Sequence, residues 1–253
     1  MGEPVSRRTA LVGGGASGIG FATAEGLARA GHDVVLVGRR PAALDRAAAT
    51  LAERTGAGIS TVVADLATDL PRLTTAADVL VLNAGGPPPA RILDVTDDGW
   101  QDAFELLLRG PLRLARAALP AMAGRGFGRV VFVTSTVVRQ PQPDLATSVV
   151  LRAAVTSAAK LLAREHADRG VTVNCVAPGP TATDRRHQIL AARAGATGAT
   201  YAELDAADVA TVPAGRAARP EEVGAAVTFL ASAAASYVNG TVLTVDGGRT
   251  ETP

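Results

Sequence analysis

Thr9-Ala-Leu-Val-Gly-Gly-Gly-Ala-Ser-Gly-Ile-Gly20 decides how this chain is read. A short apolar run breaks on a glycine turn, and the run from Gly18 onward is rich in helix formers. A strand that turns sharply into a helix leaves the helix's first N–H groups unpaired, and glycines let a phosphate approach them closely. Gly14-x-x-x-Gly18-x-Gly20, with Ser17 and Ile19 between, is one register for such a cradle. Gly13, Gly15 and Gly18 also fit G-x-G-x-x-G. A tight strand-to-helix turn without ligand is the plainer alternative.

Outward from this turn, short β-branched runs alternate with Ala- and Leu-rich helical stretches. Strands fit residues 9–12, 33–37, 59–63, 79–82, 129–134, 171–176 and 241–245. Helices fit 18–30, 42–54, 97–123, 145–169 and 221–235, with Pro41 and Pro220 at helix starts. Alternation of this kind predicts an α/β fold, a Rossmann-type doubly wound sheet of seven parallel strands with helices on both faces. No repeat or low-complexity linker divides the chain, so one domain over residues 1–253 is expected. Residues 183–219 break the rhythm before the last long helix. Ligands bind beyond the strands' carboxyl ends in such sheets, so this excursion is read as a substrate lid or as a surface insertion.

The bulk properties narrow the function. The chain has 253 residues, 47% hydrophobic and 19% charged, enough for a sizeable core, and its formal net charge is +1. No strong field draws it to nucleic acid or anionic lipid, so a small-molecule substrate is expected. Cys175 is the only cysteine, and His32, His166 and His187 lack zinc-ligand spacing, so no metal is expected. The first strand is expected to leave no room for a signal peptide, and no apolar run is expected to reach the ~18 residues that span a bilayer. A cytoplasmic protein without a membrane partner follows. Met1-Gly2 with Ser6 matches a myristoylation pattern, a short match that arises by chance. Lys160 is the only lysine, a bias resembling a GC-rich bacterial coding sequence.

Sites for NAD carry a carboxylate about 20 residues past the glycines, where it binds the ribose 2′-hydroxyl. Here Gly38 is followed by Arg39 and Arg40. Two guanidiniums suit the 2′-phosphate of NADP(H) through bidentate charge-assisted bonds, which favours NADP(H) over NAD(H). A solvated arginine pair opening a helix is the alternative.

Further residues carry a resemblance. Gly14/Gly18/Gly20, Asp65, Asn83-Ala-Gly85, Ser135, Asn174, Pro178-Gly179, Thr183 and the ending Phe229-Leu-Ala-Ser232, Gly240 and Val245-Asp-Gly-Gly248 stand in the order seen in the short-chain dehydrogenase/reductase family. The chain resembles that family over nearly its whole length. The resemblance implies that Asp65 and Leu66 lie near an adenine, that Asn83, Ala84 and Gly85 shape the cofactor cleft, that Pro178 and Gly179 bind the cofactor, and that Thr183 meets the nicotinamide carboxamide or the pyrophosphate. It also implies a homotetramer or homodimer packed through the long helices.

Against the family's Asn-Ser-Tyr-Lys set, the tyrosine position falls on Ser148, the lysine position on Arg152 and the asparagine position on Leu107; Ser135 is retained. The chain therefore looks like an atypical branch lacking Tyr-x-x-x-Lys. Ser148 and Arg152 are i and i+4 on a helix and face one site. Ser135, Ser148 and Arg152 are the catalytic candidates. Arg152 can hold a nicotinamide ribose or steady an oxyanion, but its guanidinium is no practical proton donor. Water, the substrate, His187 or Tyr201 are candidate proton sources. Tyr237 reads as a packing residue, and Arg185 and Arg186 as anion ligands or solvated charges. Three functions are open: a carbonyl or enone reductase, a redox-neutral enzyme in the same pocket (cyclisation, dehydration or isomerisation), and a non-catalytic dinucleotide sensor or partner subunit.

Overall fold

The computed structural model describes residues 7–69 and 71–252. The Met1, Gly2 and Ser6 pattern lies outside the described residues. Seven strands, β1 (Thr9–Gly13), β2 (Asp33–Gly38), β3 (Ile59–Val63), β4 (Val79–Leu82), β5 (Gly128–Val133), β6 (Val171–Pro178) and β7 (Val242–Val245), form one sheet in the order β3-β2-β1-β4-β5-β6-β7. Every pairing is parallel. The chain winds outward from β1 in one direction and from β4 in the other, so the cleft between their carboxyl ends is the topological switch point.

Period-two alternation divides the core. Ala10 and Val12 face one side with Val34, Leu36 and Val81, under Leu27 of helix α1 (Gly18–Arg29), Leu44 and Leu51 of α2 (Pro41–Thr55) and Val227 of α8 (Pro220–Ala231). Leu11 faces the other side with Val35, Leu80 and Phe132, under Leu114 and Ala118 of α4 (Gly110–Arg125) and Val155 and Ala159 of α5 (Ala146–His166). Each fully buried leucine contributes about 2–3 kcal/mol of transfer free energy, so both helical layers are held mainly by these stripes.

Two sequence expectations change. The helix expected over residues 97–123 is three pieces: α3 (Asp97–Phe104), a π turn (Glu105–Arg109) and α4. Pro111 has no N–H to give the Leu107 carbonyl, and the Gly110 N–H reaches back to the Glu105 oxygen, five residues away. Residues 146–169 are long and apolar enough to cross a membrane by length and mean hydropathy, 1.3, which the sequence reading did not anticipate. Much of that apolarity is the stripe Leu151, Val155, Ala159 and Ala163, buried within the fold.

Between β6 and α8 the chain forms two more helices, α6 (Asp184–Thr197) and α7 (Tyr201–Ala210). They are pinned together by Arg186, whose guanidinium bonds Asp205 and Asp208. Arg249, near the C-terminus, adds a 3.1 Å bond to Asp208.

Candidate active site

Gly14 and Gly18 adopt φ of +62° and +54°, the left-handed region that glycine enters without strain. A Cβ on Gly20 would stand 2.2 Å from the Gly14 carbonyl oxygen, so the start of α1 lies directly on the turn. Asn83, at the end of β4, donates from Nδ2 to the Gly13 carbonyl at 3.2 Å and ties the turn to the neighbouring strand. Gly14, Ser17, Gly18 and Ile19 line a cleft of about 490 Å³ at the switch point. Gly20 is set back from it and serves the turn by its lack of a side chain.

One flank of the same cleft carries Arg39 and Arg40 with Asp65 and Leu66. Arg39 Nη1 lies 3.8 Å from Asp65 Oδ2, with its side chain 74% exposed, a loose pairing that leaves the guanidinium free to take an anion. Asp65 also accepts the Ala67 N–H at 3.0 Å, which orders the turn after β3. Asn83, Ala84 and Gly85 form the middle of the cleft, and Pro178, Gly179 and Thr183 close its far side. The Thr183 hydroxyl caps α6 by accepting the Arg186 N–H.

Ser135, Ser148 and Arg152 line this cleft too. Ser135 follows β5 and its Oγ accepts the Val137 N–H at 3.4 Å, which aims the short helical turn beyond it. Ser148 is buried in the first turn of α5. One helical turn on, Arg152 donates from Nη1 to the Val133 carbonyl at 2.7 Å and from Nη2 to the Gly85 carbonyl at 3.2 Å. Burial, and then the neighbouring Arg185 charge, hold the Arg152 pKa down to about 10. It stays a cation near neutral pH.

Other sequence candidates lie elsewhere. Leu107 packs with Ala103 and Leu151, and Leu106 of the π turn lines the cleft in its stead. His187 and Tyr201 pack against each other between α6 and α7, ring centroids 4.9 Å apart and planes tilted by 40°, and neither lines the cleft. Tyr237, expected to pack, is fully exposed. Arg186 does line the cleft, but it is held by Asp205 and Asp208 and is a strut between helices. Burial pushes its pKa down, but its bonds to both carboxylates raise it overall. Asn174, fully buried, donates to the Val238 carbonyl and accepts the Thr241 N–H, stitching β6 to the approach of β7.

Sequence reasoning missed Arg193 and Arg249, which line the cleft from α6 and from the C-terminal turn. Arg193 forks onto Asp144 at 2.6 and 3.0 Å, tying α6 to the loop before α5. The partners lie 49 residues apart, and no local pattern signals such a pair.

Sheet order and cleft together define the class: a Rossmann-like α/β protein with its site at the switch point. Residues 14–250 match the family model described as Enoyl-(Acyl carrier protein) reductase. The chain is 37% identical to galactitol 2-dehydrogenase (L-tagatose-forming) of Cereibacter sphaeroides, over 95% of this chain and 94% of the relative. It is 36% identical to cis-4-hydroxycyclohexanecarboxylate dehydrogenase of Sinomonas cyclohexanicum, over 99% of each. Among solved structures, L-sorbose reductase from Gluconobacter frateurii, complexed with NADPH and L-sorbose, superposes with a TM-score of 0.89 at 33% identity, over 100% of both chains. The chain belongs to the short-chain dehydrogenase/reductase family.

Proposed function

We propose that this protein is an NADP(H)-dependent oxidoreductase acting on the carbonyl or conjugated enone of a small molecule, with Ser135, Ser148 and Arg152 as its catalytic set. The observation that carries the reading is convergence: the glycine turn, the Arg39 flank, Asn83-Ala-Gly85, Pro178-Gly179 and all three catalytic candidates line one cleft. The turn fits a dinucleotide, because Gly14 and Gly18, both at positive φ, bring side-chain-free backbone at the start of α1 to the cleft. Gly14, Ser17, Gly18 and Ile19 would hold the pyrophosphate at the start of α1. Arg39 and Arg40 would hold the 2′-phosphate, Asp65 and Leu66 would border the adenine, and Asn83, Ala84, Gly85, Pro178, Gly179 and Thr183 would shape the nicotinamide end. NADPH, the cofactor reported in the L-sorbose reductase complex, supplies a hydride when bound.

In this reading, which rests on the family resemblance, Ser148 and Arg152 take the tyrosine and lysine positions. The Ser135 and Ser148 hydroxyls donate hydrogen bonds to a substrate oxygen, and the fixed Arg152 charge favours the negative charge that grows there. Arg152 keeps its proton, so the proton for that oxygen comes from water or from the substrate. Residues 183–219, with Ile189 and Leu190 of α6 reaching the cleft, act as the lid of a single domain. A homodimer or homotetramer through α4 and α5 accounts for the outward face of α5, where Val150 and Leu161 are exposed.

Incubation of the purified protein with NADPH and a panel of ketones and conjugated enones tests this reading. Absorbance loss stoichiometric with reduced product is expected; tight NADPH binding with no turnover across the panel would contradict it in favour of a sensor. The double substitution Ser148→Tyr, Arg152→Lys restores a phenol beside an ammonium and is expected to raise turnover of simple ketones about 100-fold.

A further inference from the structure

Most guanidiniums lining the cleft already face carboxylates: Arg39 with Asp65, Arg193 with Asp144, and Arg186 and Arg249 with Asp208. Among the described residues Arg40 also lacks an ion pair but is exposed, whereas Arg152 and Arg185 are partly buried. Among the described residues neither has an ion-pair partner, and their hydrogen bonds go to backbone carbonyls. Arg152 bonds the Gly85 and Val133 oxygens, and Arg185 Nη2 bonds the Pro87 oxygen at 2.6 Å. Two cations are thus clamped onto carbonyls two residues apart on one loop. A Cβ on Gly86, between them, would stand 2.7 Å from Arg185 Nε and Nη2, so the bare backbone of Gly86 is the bed on which that guanidinium lies.

The arrangement is costly without a ligand. Burial lowers the pKa of both arginines, and the Arg185 charge lowers that of Arg152 further. Two partly buried like charges without a counter-charge are unfavourable, and an anion between them relieves both desolvation and repulsion. Asp184 also lines the cleft but is exposed. The same cleft offers an apolar body the side chains of Leu106, Val137, Leu145, Ile189 and Leu190, among polar neighbours that include Gln142 and Thr136.

We infer that the substrate is a carboxylic acid with an apolar body, its carboxylate held by Arg185 beside Arg152. This deepens the proposed reductase reading and rests on its placing the reacting centre at Ser135 and Ser148. A planar carboxylate matches the guanidinium fork and needs few of its donors.

Calorimetric titration of the NADP+-saturated protein tests the inference without turnover, with cinnamate as the acid probe and cinnamamide as its neutral counterpart. Cinnamate is expected to bind at least about 10-fold more tightly. Arg185→Gln should weaken cinnamate about 10-fold or more and leave cinnamamide within about two-fold, the loss of one charge-assisted contact. Gly86→Ala, which retains the charge but displaces the guanidinium, should weaken cinnamate in the same direction and serves if Arg185→Gln does not fold. Equal binding of acid and amide to the unaltered protein would overturn the inference. So would an Arg185→Gln variant that loses NADP+ affinity but keeps its acid preference, since the dinucleotide's phosphates would then be the counter-charge. Failure of the reductase reading looks different: acid preference persists while NADPH is never consumed.

Discussion

A Cβ on Gly20 would lie 2.2 Å from the Gly14 carbonyl oxygen, and both ends of that contact are backbone. Gly20→Ala therefore has to open the turn, with an expected loss of about 1–3 kcal/mol by overpacking. It should also weaken NADPH binding, because the same shift moves the N–H groups at the start of α1. A thermal melt with an NADPH fluorescence titration checks both, and a variant matching the parent in each would contradict this account of the turn. The turn was legible in the sequence because its constraint is local: a strand, a glycine set and a helix within twelve residues. Ser148 and Arg152 were legible only through the family resemblance, and their i, i+4 spacing then put them on one helix face. What Arg152 does with its donors was not, since the Val133 and Gly85 carbonyls come from the ends of other elements. Arg185 and Arg186 read alike in sequence. One became a strut and the other a lone cation, because Asp205 and Asp208 sit on α7 within reach of only one of them.

At the scale of elements, α6 and α7 and the C-terminal turn meet on Asp208. Its carboxylate accepts from Arg186 Nε at 3.1 Å and Nη2 at 2.9 Å and pairs with Arg249 Nη2 at 3.1 Å, and its side chain is 9% exposed. Asp208→Asn leaves two partly buried guanidiniums short of a counter-charge. The expected cost is about 3 kcal/mol. Faster proteolysis within residues 184–210 than elsewhere is also expected, because the loss falls on the contact that joins these helices. Cleavage no faster than in the parent would show that the helices are held by something else. The sequence marked residues 183–219 as an excursion by composition but gave no helices there, since α6 and α7 carry weak apolar stripes and are fixed by ion pairs 19 and 22 residues apart. The single helix expected over residues 97–123 failed for a local reason, the missing N–H of Pro111. The resulting π turn buries Leu107 and gives Leu106 to the cleft.

Across the whole molecule, the alternation of strands and helices predicts a parallel sheet covered on both faces, which is why the architecture could be read before any contact was known, whereas the strand order came only with the structure. Strand limits moved by only a residue or two, as with β1 ending at Gly13 and β6 running to Pro178. What whole-molecule topology adds is convergence. The chain segments around residues 14–19, 37–40, 64–66, 83–86, 133–152 and 178–193, scattered along the sequence, meet in one cleft. The cleft they share binds a dinucleotide in this account, and Arg39 and Arg40 choose the phosphorylated form. Direct titration with NADPH and NADH, on the parent protein and on Arg39→Ala, tests that claim most directly. The account predicts NADPH binding at least about 10-fold more tightly than NADH, with Arg39→Ala removing most of the difference and changing NADH little. Equal affinity for the two, or a preference untouched by Arg39→Ala, would contradict it.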